Sequence, residues 1–279
     1  MPELPEVETI RRDLESILIG DTAVDIKVFD RRLMGHQEEK RLSKAVLGQL
    51  WQKFERKGKY LGVELANHWR IIFHLRMTGQ LLIHQGHDGS PIAALGDDVK
   101  SARLLIRFRS GRALGLYDQR RFAEVWPLRP GDIWRSKNPL GPDALNDLQQ
   151  EEFVRLVKSR TTRIQPLLMD QRALAGVGNI YAQEALFKAA IRPSRPGNRL
   201  TVAEAARLFG TLQETLQTAI SYRGSSSRNY RDAKGEEGSA QTLHAVYRKG
   251  GKPCRRCGGL LRATRVGGRG SVFCPKCQK

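Results

Sequence analysis

The spacing of apolar residues near the start of the chain predicts one amphipathic helix. These residues recur at intervals of three and four, as a single helical face requires. Pro5 suits the first turn of this helix and Gly20 suits its end. The positive end of the helix dipole would then face Pro2 and Glu3. The apolar face consists of Val7, Ile10, Leu14, Ile17 and Leu18.

From about residue 22 to about residue 130, short runs alternate apolar and polar positions, which is typical of β-strands. Leu104, Ile106 and Phe108 would share one face of a strand, and Ser110-Gly111 predicts the hairpin turn that follows. Because these runs have little helix between them, we expect an antiparallel sandwich. The predicted strands lie in AVDIKVF, KYLGVEL, WRIIFHLRMTGQLLIH and SARLLIRFRSGRALGLYD, and QGHDGSPIAALGDD is predicted to be a loop.

The second half returns to helical spacing after a connection that contains Pro and Gly, RPGDIWRSKNPLGPDA. Four segments with this spacing predict a helical bundle: DLQQEEFVRLVKSR, IQPLLMDQRAL, NIYAQEALFKAAI and TVAEAARLFGTLQETLQTAI. The Gly- and Ser-rich segment RGSSSRNYRDAKGEEGSAQ then predicts a mobile loop. The predicted divisions are a β-sandwich domain at 1–135, a linker at 136–150, a helical domain that includes the loop at 151–240, and a finger at 241–279.

The charge of the chain is strongly positive, with 48 Lys and Arg residues against 29 Asp and Glu residues and a formal net charge of +19. From Gly238 to Lys279 there is no acidic residue, whereas basic residues are frequent. This imbalance favours a polyanionic partner, nucleic acid first and an acidic membrane second, over charge that serves solubility alone. Because the sequence has neither an apolar run of membrane-spanning length nor a secretion signal, we expect a cytoplasmic protein.

All four cysteines lie near the end of the chain, in the pairs CRRC and CPKC. Four thiolates at this spacing can close a tetrahedral shell without an open position, so we predict one structural zinc ion and no disulfide. The zinc would join two short strands whose turn carries Arg265 and Arg269, placed either to meet nucleic acid or only to keep the turn soluble. The predicted ligands are Cys254, Cys257, Cys274 and Cys277.

Two glycines in AGVGNIYAQEALF predict a tight turn that opens a helix. Gly176 and Gly178 would bracket the turn, and Asn179 would begin the helix. The unpaired N–H groups at such a helix start, together with a short amide side chain, suit a phosphate group. A turn without any ligand is the alternative.

Two basic clusters stand beside predicted strands. In YDQRRFAEV, Arg120 and Arg121 precede Phe122, a combination that can hold a phosphate and wedge into a base stack. In RKGKYL, Lys59 follows a glycine. Surface charge at a strand edge is the alternative for both clusters. His74 is predicted to be a core histidine, and no histidine is assigned a ligand role.

Several motifs follow one another along the chain: MPELPEVET, GKYL, HLRMTG, DQRRF, GVGNIYAQEALF and the paired CxxC sequences. In this order they resemble the bacterial formamidopyrimidine-DNA glycosylase family over essentially the whole length. The resemblance implies an α+β multidomain fold. An N-terminal helix plus antiparallel β-sandwich would be followed by a helical helix-two-turn-helix domain with a C-terminal β-hairpin zinc finger. It also implies a monomer that acts on double-stranded DNA containing oxidised bases.

The resemblance further implies that Met1 is removed and that the amine of Pro2 is the nucleophile. An α-amino group has a pKa of roughly 7.7–8.0, and the positive helix end would favour its neutral form. Attack on a sugar C1′ would give a cationic iminium, an electron sink that allows strand cleavage on both sides of the sugar. The other implied roles are acid at the sugar ring oxygen for Glu3, lesion contact for Glu6, and service in the first and second eliminations for Lys59 and Arg269.

The DNA-holding residues are implied in the same way. Arg120, Arg160 and Asn179 match positions that hold phosphates. Met77, Arg120 and Phe122 match residues that fill the space left by an everted nucleotide, which offsets part of the few kcal/mol that eversion costs.

The chain departs from the family pattern at several positions. Relatives have a lysine followed by two histidines where this chain reads Lys100-Ser101-Ala102-Arg103, so one DNA contact is lost or taken over by Arg103. Gln165 stands where a lysine is usual, which removes one positive charge. Neither change alters Pro2.

The function expected from these observations is a bifunctional DNA glycosylase and AP lyase for oxidised purines, such as 8-oxoguanine and formamidopyrimidines. The alternatives are an endonuclease VIII-type glycosylase for oxidised pyrimidines and a non-catalytic zinc protein that binds DNA. Leu4 favours the purine branch, because the pyrimidine branch more often begins MPEGPE. An RNA-binding zinc ribbon would leave the N-terminal motif unexplained.

Overall fold

The computed structural model describes residues 1–34, 39–85, 100–132, 139–226 and 230–279. The helices are α1 Leu4–Leu18, α2 Glu39–Val46, α3 Gln150–Lys158, α4 Ile164–Met169, α5 Asn179–Lys188 and α6 Val202–Ser221. The strands are β1 Ala23–Val28, β2 Trp51–Lys57, β3 Tyr60–Leu65, β4 Arg70–His74, β5 Gln80–Gln85, β6 Ala102–Phe108, β7 Arg112–Tyr117, β8 Glu124–Leu128, β9 Arg262–Val266 and β10 Arg269–Phe273. None of the helices in these ranges is long and apolar enough to cross a membrane.

The chain forms two compact units, one made of Met1–Trp134 with Arg223–Ser239 and the other of Arg135–Tyr222 with Ala240–Lys279. The first unit contains two four-stranded antiparallel sheets, in the orders β1-β6-β7-β5 and β2-β3-β4-β8. Trp51 from one sheet meets Phe108 from the other edge-on, with ring centroids 4.9 Å apart. The predicted sandwich is therefore confirmed.

Helix α1 covers this core with its apolar face, since Val7, Ile10 and Leu14 are buried in the same cluster as Trp51. The sequence also predicted its start and end correctly. Part of its polar face is buried as well, and this was not predicted. Three acidic residues on α1 are almost fully buried: Glu6, Glu8 and Asp13.

Several elements of the first unit were not predicted. Strand β2, strand β8 and the short helix α2 carry too many charged residues, or are too short, for their pattern to stand out. Beyond Gln85 the predicted loop lies outside the described residues, and so does the middle of the predicted connection, residues 133–138. The predicted domain limits thus stay a prediction.

In the second unit, the four predicted helices are present, with Phe153 of α3 against Phe209 of α6 at 5.5 Å between centroids. Strands β9 and β10 form the finger hairpin. Its turn residues Gly267 and Gly268 have φ of +57° and +75°, and a Cβ at Gly267 would lie 2.6 Å from Pro166. Glycine is therefore required where the fingertip approaches α4.

The Gly- and Ser-rich segment, placed with the helices by its sequence, belongs to the first unit in the structure. The described parts of this segment, 223–226 and 230–239, are held by hydrogen bonds rather than left as a loop without contacts. Ala233 O accepts a hydrogen bond from Ile83 N at 2.8 Å. Tyr230 is buried in the sandwich core.

Candidate functional site

Pro2 and Glu3 lie immediately before the first turn of α1. Pro2 is buried and Glu3 is 4% exposed. The Glu3 N–H donates to Oε2 of Glu6 at 2.7 Å, and the Glu3 carbonyl accepts the first helical hydrogen bond from Val7 N at 3.1 Å. The backbone at Glu3 is thereby fixed at the positive end of the helix dipole, where an amine at Pro2 would be kept in its neutral form.

Lys59 lies in the turn between β2 and β3 and is buried. Gly58 adopts φ of +57°, and its carbonyl accepts from Nη1 of Arg56 at 3.1 Å. Nε of the same arginine donates to Glu8 of α1 at 3.0 Å. Burial alone would raise the pKa of Glu8, but hydrogen bonds from Arg11 and Arg12 hold it below its ordinary value. Glu8 is therefore ionised at neutral pH and ties α1 to the turn that carries Lys59.

His74 packs in this region as a neutral side chain. Its ring stacks on Tyr60 with centroids 4.2 Å apart. Burial, together with the positive charges of Arg76 and Lys59, lowers the pKa of His74 to about 3. At neutral pH the imidazole is uncharged, in agreement with the expected core position.

The structure brings the three predicted space-filling residues onto two neighbouring turns. Met77 follows β4 and is 41% exposed, whereas Phe122 precedes β8 and is 50% exposed. The guanidinium of Arg120 lies over the Phe122 ring, 4.8 Å from its centroid.

Asp118, which is 1% exposed, organises both turns. One of its oxygens accepts from Thr78 Oγ1 of the first turn at 2.5 Å. The other accepts from the backbone N–H groups of Phe122 and Ala123 at 2.6 and 2.7 Å. A single buried carboxylate therefore joins the two turns that carry Met77 and Phe122.

In the second unit, the helix start and the finger meet through Asn179. The carbonyl of Gly270 can only accept, so the Asn179 amide faces it with Nδ2, at 3.0 Å. The Oδ1 of Asn179 then accepts from Nε2 of Gln165 at 2.8 Å. Gln183 Nε2 reaches the same Gly270 carbonyl at 3.2 Å. The network places Arg269, the neighbour of Gly270 and exposed to solvent, beside the start of α5.

The side chains of Arg160 and Arg103 differ in their exposure to solvent. Arg160 follows α3 with its side chain exposed. Arg103 is 7% exposed, and its guanidinium donates to the carbonyls of Asp118 at 2.9 Å and Ala102 at 2.8 Å. Nε and Nη1 of Arg103 thus serve the backbone, and the DNA contact predicted for Arg103 stays a prediction. We assign Arg103 to bracing the ends of β6 and β7.

The four cysteines converge as a metal site requires. Their sulfur atoms all lie within 4.8 Å of one another, with Cys254 to Cys277 at 4.0 Å and Cys257 to Cys274 at 3.5 Å. A tetrahedral zinc with bonds of about 2.3 Å needs sulfurs about 3.8 Å apart. Partial burial and hydrogen bonds from the other thiols raise the pKa of Cys277 to about 12, so a bound cation is needed for all four to ionise together. The cluster fits zinc.

Three family models match the chain in the order of its elements. Residues 1–125 match the formamidopyrimidine-DNA glycosylase N-terminal domain, 140–231 match its H2TH domain, and 251–279 match a zinc finger found in FPG and IleRS. A formamidopyrimidine-DNA glycosylase of Herpetosiphon aurantiacus is 38% identical over 280 residues, covering 100% of both chains. This chain belongs to the formamidopyrimidine-DNA glycosylase family. The finger model also confirms the predicted zinc site.

Other members of the formamidopyrimidine-DNA glycosylase family are also similar to this chain over nearly its full length. The protein of Pelotomaculum thermopropionicum is 36% identical, covering 100% of this chain and 99% of the relative. Crystal structures of Lactococcus lactis Fpg superpose over the full length. The complex with DNA containing N7-benzyl-Fapy-dG has a TM-score of 0.88 at 33% identity and 100% coverage of both chains. The complex with DNA containing an abasic site has 0.88 at 34% identity and 99% coverage of both chains.

Sequence reasoning missed residues that hold the predicted ones in place. Thr78 and Arg56 are ordinary strand or turn residues in the sequence, and nothing in their spacing marks their partners. Gln165 was noticed only as a lost positive charge, although it is fully buried against Asn179. The sequence sign of this burial was the position of Gln165 within the apolar helical run IQPLLM.

Proposed function

We propose that this chain is a bifunctional DNA glycosylase and AP lyase that excises oxidised purines, including 8-oxoguanine and formamidopyrimidines, from double-stranded DNA. The observation that carries the proposal is the N-terminus of α1, where Pro2 is buried and Glu3 is fixed by its hydrogen bond to Glu6 at 2.7 Å. This geometry suits a positioned amine nucleophile with an acid beside it.

The chemistry begins when removal of Met1 makes the Pro2 nitrogen a free secondary amine. The amine attacks C1′ of the damaged nucleotide, the C1′–base bond breaks and the base leaves with the electron pair, and the proton that the amine nitrogen loses is taken up by the departing base. Glu3 protonates the sugar ring oxygen as the ring opens, which gives a cationic iminium at Pro2. Loss of a proton from C2′ then expels the 3′ phosphate, and a second elimination expels the 5′ phosphate. Lys59 serves the first elimination and Arg269 the second.

DNA is held by residues of each unit. Arg120 in the first unit and Arg160 and Asn179 in the second bind phosphates, since each reaches solvent on a turn or at a helix end. Met77 and Phe122 fill the space left by the everted nucleotide. We further propose that the protein acts as a monomer in the bacterial cytoplasm.

Zinc supplies structure rather than chemistry at the four cysteines. Four thiolates would complete a tetrahedral shell around the ion, so no position would be left for water or substrate. Cys254 and Cys274 are buried in a small cluster with Val246, Leu261 and Val272, and this cluster is the core of the finger. The ion therefore keeps Arg269 on a folded hairpin.

The experiment that tests the function is borohydride trapping on parallel duplexes carrying 8-oxoguanine, 5-hydroxyuracil or an intact base, with the attached residue identified by peptide mass. We expect an adduct at Pro2 that is strongest with 8-oxoguanine. A stronger adduct with 5-hydroxyuracil would move the protein to the pyrimidine branch. Binding without any adduct, or a retained Met1, would contradict the catalytic proposal. One Lactococcus lactis Fpg structure contains DNA with an oxidised pyrimidine, so the pyrimidine duplex is a necessary comparison.

DNA affinity is expected to fall steeply with salt, because each neutralised phosphate releases counterions. Arg120→Ala should weaken binding to damaged and intact duplexes alike and reduce the slope of log K against log salt by about one. Lys44→Ala, which removes an exposed charge on α2, is the matched control and should leave the slope unchanged. Fluorescence anisotropy at several salt concentrations measures both. A flat salt response of the unmodified protein would refute the polyanion assignment.

Gln165 should matter for DNA affinity although it is fully buried. Gln165→Met keeps the volume but removes the donor to Asn179, and one lost hydrogen bond of about 1 kcal/mol corresponds to an affinity loss of about fivefold. Gln165→Lys restores a donor and should recover part of the loss. The measurement is the Kd for a duplex with a tetrahydrofuran abasic analogue. Unchanged affinity in Gln165→Met would show that Asn179 needs no such support.

A further inference from the structure

Arg223 has a backbone conformation that its residue type disfavours. It adopts φ of +58°, and Gly224 after it adopts +80°. Glycine accepts this left-handed region freely, whereas a residue with a Cβ does so at a cost. Strained backbone of this kind persists where the surrounding contacts require it.

The contacts of the Arg223 guanidinium supply that requirement. Nε donates to Asp232 Oδ2 at 2.8 Å, and Nη2 donates to Asp13 Oδ2 of α1 at 2.6 Å. Asp232 is 0% exposed and Asp13 is 6% exposed. Burial opposes the charge on Arg223, but its hydrogen bonds to Asp232 and Asp13 raise its pKa above the ordinary value. Removing the arginine would leave two buried carboxylates without their cation, which is strongly unfavourable.

Asp232 connects this cluster to the rest of its own segment. Its Oδ1 accepts from the backbone N–H groups of Lys234 and Glu236, both at 2.9 Å. The Asp232 N–H in turn donates to the Glu236 carbonyl at 2.9 Å. Arg223 therefore joins a folded turn at 232–236 to the middle of α1.

The backbone that follows Arg223 runs along α1 to the predicted lesion contact. Asp13 and Glu6 are seven residues apart, so they lie on the same face of the helix, two turns from each other. The Ser225 N–H donates to Glu6 Oε1 at 2.8 Å. A Cβ at Gly224 would come within 2.9 Å of the Glu6 side chain, so the approach is close.

Glu6 thus links this backbone to the catalytic end of the helix. Its Oε1 accepts from Ser225 and its Oε2 accepts from the Glu3 N–H at 2.7 Å. A shift of the 223–225 backbone along α1 would remove one of these two hydrogen bonds and change where the Glu6 carboxylate points. The register of this backbone is set by Arg223, because its guanidinium donates to both Asp13 and Asp232.

We propose that Arg223 is a positioning residue for base excision, acting through Asp13 and Asp232 to hold the 223–225 backbone against Glu6. The inference rests on the proposed function and deepens it. A damaged base in contact with Glu6 also meets the backbone of Gly224 and Ser225, whereas an abasic sugar carries no base to meet it. Arg223 therefore supports removal of the base more than cleavage of the strand afterwards.

The test compares two substrates under single-turnover conditions, a duplex with 8-oxoguanine and the same duplex with a preformed abasic site. Arg223→Gln should slow excision of 8-oxoguanine by about tenfold or more and leave cleavage at the abasic site within about threefold. Arg223→Lys keeps the charge but lacks the planar guanidinium that donates to two carboxylates at once. It should therefore give an intermediate loss of excision rate on 8-oxoguanine only. This second variant keeps the test valid if Arg223→Gln does not fold.

Arg231→Gln is the matched control, because Arg231 lies in the same segment and pairs with Glu237 at the surface. It should leave both rates unchanged. Equal losses on both substrates for Arg223→Lys, with thermal stability lowered in step, would overturn the proposal in favour of a purely structural ion cluster. Unchanged rates in both Arg223 variants would overturn it as well. Failure of the proposed function itself is distinguishable, because the unmodified protein would then process neither substrate.

Discussion

Replacing Pro2 by glycine is expected to lower strand cleavage at an abasic site by about 100-fold or more while leaving DNA affinity within about threefold. After removal of Met1, a glycine offers a primary amine, whose adduct with C1′ is a neutral imine unless it gains a proton. The proline adduct is a cation at any pH, and it therefore draws electrons from the C2′–H bond without that extra step. The glycine also lacks the ring that is buried before α1.

The measurement pairs single-turnover cleavage with anisotropy on a tetrahydrofuran duplex, which binds but cannot react. Glu3→Gln provides a matched variant at the neighbouring position. It should slow base excision while keeping the amine available for borohydride trapping on an abasic site. A parallel loss of cleavage and affinity in the Pro2 variant would indicate a folding defect. Full cleavage activity would exclude Pro2 as the nucleophile.

Loss of the metal site should have the second large effect, on DNA binding rather than on the amine. Cys274 is 0% exposed and central to the finger core, so Cys274→Ser should abolish zinc retention and unfold β9 and β10. Structural zinc sites contribute on the order of 10 kcal/mol to folding, far more than so small a core supplies. Because Arg269 and the Gly270 carbonyl that holds Asn179 both lie on β10, affinity for an abasic-analogue duplex should fall by about 100-fold or more.

Zinc content by atomic emission and affinity by anisotropy test this together. Lys276→Ala is the control, since it lies between Cys274 and Cys277 and keeps all four ligands. It should retain one zinc per chain and near-normal affinity. Trapping at high protein concentration should still give an adduct in Cys274→Ser, because Pro2 and Glu3 are fixed by α1. Normal affinity in the zinc-free variant would show that the finger does not hold DNA.

Much of the fold was predictable because its patterns are local. Alternation along β6 and β7 gave their paired strands and the turn at Gly111, and the heptad-like spacing on α1 gave its buried face. Strand β2 and helix α2 were missed because their many charged residues obscure the local pattern. The resemblance supplied roles for Pro2 and Lys59 that no spacing rule could give.

The sequence by itself determined the zinc ligands and the glycine turn before α5, because the residues of each CxxC pair and of the turn lie within a few positions of one another. Only the tertiary structure decided which polar groups support the site. Asp118 accepts from Thr78 forty residues away, and Arg223 reaches Asp13 across 210 positions. It also decided that Arg103 serves the backbone. The physical reason is that a buried charge must find its partner in three dimensions, and chain position does not record which partner that is.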